Sequence, residues 1–495
     1  MEKTSNEISS APLVTFVVPC YNYAHLLANC VSSVLAQDYE NFEVLIMDNC
    51  STDNTPEVAL SFQDSRVRHI RNESNLGAVR NFNKGLTLAR GKYVWVLSAD
   101  DLLRSPSVLG RYVDVMEENA NFGFVFCRAI ELHGEKEGSI FSWADLGDKD
   151  RNWHDSTFLL RLIESCCVIL SSVMMRKESL NRIGLFPTDL SYCDDWYVLS
   201  ALALHYGVAY LAEPMVFCRF HKDSLTIQQS REYARNCAGE ELSVLWRVGH
   251  EAELAQKAHL RDACHVAFIR LSKRYLMTGL WGEGPRISAT EFGEILEQRF
   301  QGLNGLQRIW NSVYTSLADD LRSLYHVHNA PIELADEVSA YWDLWRQAEL
   351  AGVCSLRDAC KHVLAHRLSC RLQAGTFNKT PDLSGTELVE ILQSRIPDVE
   401  AAKDIRALVY RDLGDQQYTR REYVEATQSY RLALEACPGH SATSAKYLLM
   451  RMGMPGIWIR QLAGQARESS RRVRDAKQQS PEPAKADLVV RHPRH

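Results

Sequence analysis

Two pairs of adjacent aspartates in the first half of the chain stand where carboxylates could do chemistry. Asp100 and Asp101 directly follow the apolar run Tyr93–Leu97, and Asp194 and Asp195 open a helical pattern. Two carboxylates at the end of a buried strand are costly without a counter-charge. A hard divalent cation, which binds carboxylates together with substrate phosphates, would provide that charge. Asp100 is therefore a candidate metal ligand, with simple helix capping as the alternative.

The second pair of aspartates suits proton transfer. A carboxylate beside an acceptor hydroxyl can act as a general base, so Asp195 and Asp194 are candidate catalytic residues. Acidic residues at a helix start also complement the helix dipole, which is the structural alternative. His221 follows the strand-like run Met215–Cys218 and could ligate the metal or touch a phosphate. An ordinary surface histidine is the alternative there.

Polar residues after two other apolar runs suit a nucleotide. The run Val14–Val18 is followed by Pro19-Cys20-Tyr21-Asn22, where Pro19 is expected to end the strand and Tyr21 offers a flat ring for a base or ribose. Asp48 follows the run Phe42–Met47, where its carboxylate could accept a hydrogen bond from a base N–H. A surface turn would also explain Tyr21.

Two further residues in this region have separate predicted roles. Arg80 lies near the opening of a helix after Gly77, and its guanidinium suits bidentate contact with a phosphate. A solvated arginine is the alternative. Asp53 is expected to cap the next helix rather than bind a ligand.

Short apolar runs alternate with helical patterns from Val14 to about Ile227, and this alternation predicts the elements that position these residues. It favours a mostly parallel sheet covered on both faces, which binds ligands at the carboxyl ends of its strands. Predicted strands are Val14–Val18, Phe42–Met47, Val67–Arg71, Tyr93–Leu97 and Met215–Cys218. Predicted helices are Ala24–Ala36, Thr55–Phe62 and Ala78–Ala89. The polar residues described above should meet along one edge of the sheet.

Helical patterns replace strand-like runs after about Arg231, as in Glu240–Leu254, His259–Met277 and Asp336–Leu350. Within this part, Ala407–His440 resembles a single tetratricopeptide (TPR) repeat, an approximately 34-residue helix pair. Small residues at Gly414 and Ala426 would let its two helices approach closely. One repeat cannot bury its own face, so the pair is expected to stack on neighbouring helices.

Taken in order, the polar segments of residues 13–227 resemble the family-two glycosyltransferases with the GT-A fold. The segments that carry the resemblance are Pro19-x-Tyr21-Asn22, Asp48-x-x-Ser51-x-Asp53, Asn75-x-Gly77-x-x-Arg80-Asn81, Ser98-Ala99-Asp100-Asp101 and Asp194-Asp195. Ser98 occupies the first position of the usual Asp-x-Asp, and Asp194 stands where Glu is more usual.

The resemblance implies a role for each segment in a sugar transfer from a nucleotide diphosphate sugar. Asp48 would contact the base, with Pro19–Asn22 lining that pocket. Asp100 would hold Mg²⁺ or Mn²⁺ at the two phosphates, assisted by His221. Asp195 would be the base of an inverting displacement, with Asp194 beside it placing the acceptor. Bacterial proteins of this kind often build surface polysaccharide on glycan or lipid-linked acceptors, and the TPR-like surface suggests a protein acceptor as another possibility.

The length and the resemblance together predict the domain organisation. A chain of 495 residues is expected to form two or three domains. We predict a tail at 1–12, a GT-A domain with a Rossmann-like, mostly parallel α/β sheet at 13–230 and an all-α domain at 231–463. The TPR-like unit lies at 407–440, and a polar, basic and disordered tail at 464–495.

Composition narrows the environment and the partners. The net charge of −6 gives no electrostatic case for a nucleic acid partner. The 14 scattered cysteines and the absence of a secretory leader predict a cytoplasmic protein. No apolar run approaches the roughly 20 residues that cross a membrane, but Tyr447–Leu462 could lie at the inner membrane surface. A catalytically inactive scaffold that acts through its helices is the rival function, and a nucleotidyltransferase is the third.

Overall fold

The computed structural model describes residues 13–219, 231–281, 287–300, 306–323, 334–374, 383–420, 422–438, 443–444 and 446–448. The predicted tails, His221 and most of Tyr447–Leu462 lie outside these residues. The chain divides into two compact units, residues 1–313 and 314–495. In the described part of the chain, no helix has the length and apolar character that crossing a bilayer requires.

A ten-stranded mixed sheet forms the centre of the first unit. Its main path runs β3-β2-β1-β4-β9-β6-β10-β5, with β7 beside β6 and β8 beside β10. The strands are β1 (Val14–Cys20), β2 (Phe42–Asp48), β3 (Val67–Arg71), β4 (Tyr93–Val96), β5 (Leu102–Leu103), β6 (Phe122–His133), β7 (Lys136–Ile140), β8 (Arg151–Trp153), β9 (Val173–Arg176) and β10 (Gly207–Arg219).

The strand directions confirm the predicted mostly parallel sheet. Strands β3, β2, β1 and β4 are mutually parallel. Strand β9 is antiparallel to both β4 and β6, so β6 and its parallel neighbour β10 run in the same direction as β4. The carboxyl ends of β1, β2, β4 and β10 therefore meet at one edge of the sheet.

Helices cover both faces of this sheet and continue beyond it. Those of the first unit include α1 (Ala24–Leu35), α2 (Thr55–Ser61), α3 (Ala78–Leu88), α4 (Val108–Glu118), α5 (Thr157–Glu164), α6 (Lys177–Arg182), α7 (Asp194–His205), α8 (Arg231–Leu254), α9 (Ala258–Trp281) and α10 (Ala289–Arg299). Helices α8 to α10 thus belong to the same compact unit as the sheet.

The strands are continuous apolar runs in the sequence because the side chains on both faces of the sheet are buried. Every residue of β2 is buried, and β1 is buried except for the half-buried Pro19. Phe16 of β1 stacks on Trp95 of β4 at 5.4 Å between ring centroids, and Trp95 stacks on Tyr112 of α4 at 4.4 Å. Such contacts stabilise beyond the area that they bury.

Two predicted strands differ from the structure. The strand predicted at Met215–Cys218 is longer and spans Gly207–Arg219. Pro19 does not end β1, because the strand continues to Cys20, in register with Asp48. The ladder between β1 and β4 stops at Val17, so Pro19 lies beyond the part of β1 that is paired on both sides. A proline is tolerated where one edge of the strand is unpaired.

The second unit is helical in its described residues. Its elements include α12 (Leu334–Leu350), α13 (Cys354–Ala374), α14 (Gly385–Arg395), α15 (Val399–Thr419) and α16 (Tyr423–Ala436), and α11 spans Leu306–Ser323. Helices α15 and α16 form the helix pair that the TPR-like spacing predicts, with Ala426 and Tyr430 fully buried. A Cβ at Gly414 would lie 2.7 Å from the ring of Tyr430, which explains the small residue. The likeness to a TPR repeat beyond this pair stays a prediction.

Candidate active site

The end of β2 places Asp48 inside the protein. Its side chain is fully buried, and Oδ1 accepts a hydrogen bond from the backbone N–H of Ser51 at 2.8 Å. The Arg71 guanidinium donates to Oδ2 at 2.8 Å, and His69 Nε2 lies 3.4 Å from the same oxygen. Asp48 therefore fixes the loop after β2 and the end of β3. Its contact with a nucleotide base stays a prediction.

The loop after β1 is joined to the loop after β2 through Asn22. This residue adopts a positive φ of 60°, which asparagine tolerates better than most residues. Its Oδ1 accepts from the backbone N–H of Thr52 at 2.7 Å, and its own N–H donates to Ser51 Oγ at 3.0 Å. Tyr21 beside it is 44% exposed, so its ring is accessible to a ligand.

Asp53 has the capping role that the sequence predicts. Its carboxylate accepts from the backbone N–H of Thr55 at 3.0 Å and from that of Ala24 at 3.1 Å. It thereby satisfies donors at the starts of both α2 and α1. These hydrogen bonds hold its pKa below the usual value despite partial burial.

Arg80 lies on the exposed surface of α3. Ala78 and Phe82, one turn apart on the same helix, line the main cleft of this unit. A residue two positions from each of them lies on a different face of the helix. The structure therefore does not place Arg80 among the cleft residues, and its phosphate contact stays a prediction.

The carboxyl end of β4 presents Asp100 and Asp101 to the cleft. Asp101 is buried and accepts a hydrogen bond from the backbone N–H of Arg219 at 3.0 Å, which joins the end of β4 to the end of β10. Burial, together with the charge of Asp100, raises the pKa of Asp101 to about 8.

This pair of carboxylates fits a divalent cation in its chemistry. A dication would relieve the repulsion and desolvation that raise the pKa of Asp101, and carboxylate oxygens are the ligands that Mg²⁺ and Mn²⁺ prefer. Among the described residues, no preformed group of three or more His, Cys, Asp and Glu ligands is present. The remaining ligands would have to come from substrate phosphates, water or residues outside the described ranges, where His221 lies.

Asp194 and Asp195 form the first turn of α7 and have different environments. Asp194 is buried, its Oδ2 has no hydrogen-bond partner, and burial together with the Asp195 charge raises its pKa to about 8. Asp195 is half-buried and accepts from the backbone N–H of Trp196 at 2.6 Å. Burial raises its pKa to about 6, and that hydrogen bond limits the rise. Asp195 is therefore the more exposed carboxylate of the pair.

Glu240 of α8 holds the segment that leads into this helix. Its buried carboxylate accepts from three consecutive backbone N–H groups, those of Ser191, Tyr192 and Cys193, at 2.7 to 3.1 Å. Arg299 of α10 lies 3.5 Å from the same carboxylate. Glu240 thus fixes the position from which the two aspartates project.

One cleft of about 690 Å³ brings the two acidic pairs together. It is lined by Asp100, Asp101, Asp194 and Asp195, and also by Ser98 and Arg219 from the strand edge. Asp48, Tyr21 and Asn22 lie at the same edge of the sheet, at the ends of the neighbouring strands. One cavity therefore contains the half-buried carboxylate of Asp195 and an acidic pair suited to a cation.

Residues 15–184 match the family model described as glycosyl transferase family 2. The N-terminal part of this chain is a family 2 glycosyl transferase domain. The matched range includes Asp48 and Asp100 and ends ten residues before Asp194. Helix α7, which carries Asp195, and strand β10 of the same sheet both follow the matched range.

Named relatives of the family 2 domain come from several bacteria. Glycosyltransferase GlyG of Streptococcus pneumoniae is 36% identical over 111 residues, 22% of this chain and 37% of that protein. The succinoglycan biosynthesis protein ExoO of Rhizobium meliloti is 39% identical over 107 residues, 22% of this chain and 30% of that protein. The chain thus spans less than half the length of either relative. A crystal structure of S. aureus TarS 1-349 superposes with a TM-score of 0.42 at 16% identity, over 73% of this chain and 91% of that chain.

Several residues of this site carry no sequence signal. Glu240 is one acidic residue among many in a helical pattern, so only its three backbone contacts reveal its role. Arg270 and Arg274 of α9 line the cleft from a helix that the sequence assigns to a separate domain. Trp143 also lines the cleft, in a loop that sequence patterns leave unassigned.

Proposed function

We propose that this protein is an inverting glycosyltransferase that moves a sugar from a nucleotide diphosphate sugar to a hydroxyl group. The observation that carries the proposal is the single cleft lined by both acidic pairs of a family 2 domain. One pair suits the diphosphate end of a donor and the other suits an acceptor hydroxyl. A direct displacement between them requires no enzyme nucleophile.

Asp195 is the proposed general base. It is half-buried in the cleft, and its pKa of about 6 leaves it ionised at neutral pH yet close enough to that pH for efficient proton transfer. Asp194, with an unpaired buried oxygen and a higher pKa, holds a proton under the same conditions. As a neutral acid it can donate a hydrogen bond to the acceptor and so position it.

Asp100 is the proposed ligand of Mg²⁺ or Mn²⁺, with His221 as a second candidate. When bound, such a cation would neutralise charge on the leaving diphosphate. Asp101 supports this site by tying the end of β4 to Arg219. Tyr21 and Asn22 are proposed to line the nucleotide pocket beside Asp48.

We place this activity in bacterial surface polysaccharide or glycoconjugate synthesis, on a glycan or lipid-linked acceptor. The support is the similarity to ExoO, which is named for succinoglycan biosynthesis. A cytoplasmic location, with contact at the inner face of the membrane, is part of the same proposal. A protein acceptor presented by the TPR-like helices is the competing possibility.

Calorimetric titration of the full chain with UDP, GDP, dTDP and CDP, each with and without Mn²⁺, tests the donor site. We expect one nucleotide to bind in a Mn²⁺-dependent manner, and Asp100→Asn to abolish that dependence. Asp262→Asn, an exposed aspartate on α9, is the matched control. Failure of all four nucleotides to bind would favour the scaffold function.

Transfer assays test the base. With the matching nucleotide sugar, Asp195→Asn should lower the transfer rate by about 10²–10⁴-fold while leaving nucleotide affinity unchanged. NMR of the product should show the anomeric configuration inverted relative to the donor. Retention of configuration would refute the single displacement.

A further inference from the structure

We propose that the acceptor of this transfer carries an anionic group, bound by Arg270 of α9, beside a sugar ring that stacks on Trp143. The inference rests on the proposed function and deepens it by assigning the chemistry of the acceptor. Its evidence lies in two walls of the cleft, one formed by α9 and the other by the loop before β8.

Helix α9 presents two cations to the cleft. Arg270 and Arg274 line it together with Ala267 and Leu271, a spacing that places all four on one face of the helix. Arg274 lies 3.4 Å from Glu241 of α8, so an acidic neighbour balances its charge. Arg270 is exposed and its guanidinium makes no hydrogen bond or ion pair with any residue that the structure describes.

These arginines lie on the side of the cleft that holds the base. Glu241, which Arg274 and Tyr275 of α9 contact, directly follows Glu240 in α8. The Glu240 carboxylate binds the backbone of Tyr192 and Cys193, immediately before Asp194. Asp101 is affected by the charge of Asp100 and is bonded to Arg219. The cleft thus has a diphosphate side, where Arg219 lies, and a base side, where α9 lies.

The base side is otherwise acidic. Asp194, Asp195, Glu241 and Glu164 all line the cleft, so a neutral sugar would need no additional cation there. An anionic acceptor would be repelled unless a guanidinium compensated its charge. Arg270 supplies five N–H donors in a planar fork that matches a carboxylate or a phosphate.

Trp143 provides the surface for the sugar ring. It lines the same cleft, is 51% exposed, and packs edge-on against Phe141 at 5.9 Å between ring centroids. An indole held by a neighbouring ring is a rigid apolar face that costs little entropy to use. A large exposed aromatic beside carboxylates and guanidinium groups suits a molecule that is both apolar-faced and polar-edged, as a sugar is.

The test measures acceptor binding to the full chain saturated with its nucleotide and Mn²⁺. The probes share one ring: methyl glucoside as the neutral sugar, methyl glucuronide as the carboxylate and glucose 6-phosphate as the phosphate. We expect at least one anionic probe to bind about ten-fold to hundred-fold more tightly than the neutral one. The anionic probe that binds more tightly shows whether the acceptor group is a carboxylate or a phosphate.

The variants locate the effect. Arg270→Gln should reduce the affinity for the anionic probe to that for the neutral one, whereas Arg261→Gln, on the same helix but outside the cleft, should not. Trp143→Ala should weaken all three probes. In every variant, the nucleotide affinity measured beforehand should stay at the wild-type value.

Three results would overturn the proposal. Equal affinity for neutral and anionic probes, or no binding of any probe, would refute the proposal that the acceptor carries an anionic group. Weaker nucleotide binding in Arg270→Gln, with unchanged preference among the probes, would assign this arginine to the donor diphosphate. If the wild-type protein binds no nucleotide, the result is a different one, because it refutes the proposed function itself.

Discussion

Two adjacent aspartates with different environments are the central feature at the residue scale. Asp194 points one oxygen into a buried space without a partner, whereas Asp195 is half-buried and accepts a backbone hydrogen bond. Their pKa values are raised to about 8 and about 6. Neighbouring carboxylates separated in this way can act one as an acid or hydrogen-bond donor and the other as a base. The assignment of Asp195 as base follows from this difference.

The rate of transfer should therefore depend on pH in a defined direction. The proposed base works only when ionised, so kcat/KM should fall about ten-fold per pH unit below about pH 6, where Asp195 becomes protonated. The profile should level off between this point and about pH 8. The measurement is kcat/KM at saturating Mn²⁺ across this range. A rate independent of pH between about 5 and 8 would contradict the role of Asp195.

The raised pKa of Asp101, after β4, predicts that the stability of the fold depends on pH. Burial and the charge of Asp100 raise the pKa of Asp101 to about 8 in the folded protein, so the folded state binds this proton more tightly than the unfolded state. Its contribution therefore favours folding at low pH and is lost as pH rises through about 8. Asp101→Asn should make the thermal midpoint less sensitive to pH between about 5 and 8. Asp262→Asn serves as the control, and an unchanged dependence in Asp101→Asn would contradict the prediction.

At the scale of elements, the base depends on a helix that follows the sheet in sequence. Helix α7 carries the aspartates, but the segment before it is held by Glu240 of α8. Tyr197 of α7 also bonds Glu251 of α8, and Arg247 of α8 bonds Asp189 before α7. Helix α8 therefore holds both the segment before α7 and the first half of α7 itself.

Glu240→Gln should impair transfer more than it impairs donor binding. The substitution replaces one carboxylate oxygen with an N–H donor that faces backbone N–H groups, so the segment Ser191–Cys193 loses hydrogen bonds that a carboxylate makes strongly. We expect kcat to fall by about ten-fold or more, and nucleotide affinity to change little, because misplacing a catalytic group by about 1 Å is costly. Glu253→Gln, an exposed position on α8, is the control. Equal losses in kcat and nucleotide affinity would indicate general unfolding.

Replacing glycine with alanine should have opposite effects on stability at Gly110 of α4 and at Gly414 of α15. Alanine normally stabilises a helix interior by up to about 1 kcal/mol relative to glycine. A Cβ at Gly110 would meet only Asp38, at 3.7 Å, whereas at Gly414 it would lie 2.7 Å from Tyr430. Gly110→Ala should thus raise the free energy of unfolding, and Gly414→Ala should lower it by about 1–3 kcal/mol. Denaturant unfolding of both variants tests the packing of α15 on α16.

At the scale of the whole molecule, the residues of the candidate site are spread over more of the chain than the range matched by the family model. The family model ends at residue 184, Asp195 and Glu240 follow it, and the compact unit that contains them extends to Val313. A fragment of residues 1–313 should bind nucleotide and retain the site. A fragment of residues 1–230 lacks α8 and should lose transfer. Circular dichroism and the transfer assay compare the two, and full activity in the shorter fragment would contradict the role of α8.

The sequence predicts the parallel half of the sheet well because its strands are continuous apolar runs between helical patterns. The bounds of β2 and β3 lie within one residue of those predicted, and the acidic residues follow the strands as expected. Strands β5 to β9 escape such reasoning. The longest of them, β6, is interrupted by Arg128 and Glu131, and the others are two to five residues long. Their positions are decided by pairing with distant strands rather than by local pattern.

For the site, the sequence points to carboxylates that line the cleft more readily than to the residues that support them. Asp100 and Asp195 are visible because carboxylates at strand and helix ends are unusual. Glu240 and Arg270 are ordinary residues of surface-like helices, and only the fold brings them to the cleft. Asp48 has a structural role that the sequence does not predict, because it is bonded to Ser51 and Arg71, and its contact with a base stays a prediction.

The hydrogen bonds from Ser191, Tyr192 and Cys193 to Glu240 limit which chimaeras of this protein and its relatives can be active. Recombination is often tolerated between structural elements, and a crossover after β10 would separate α7 from α8. A hybrid joined there would acquire a foreign helix whose side chains were never selected to bind Ser191, Tyr192 and Cys193. Its donor site could remain intact while its base lost its support. Viable hybrids should therefore inherit the strand edge and helices α8 to α10 from the same parent.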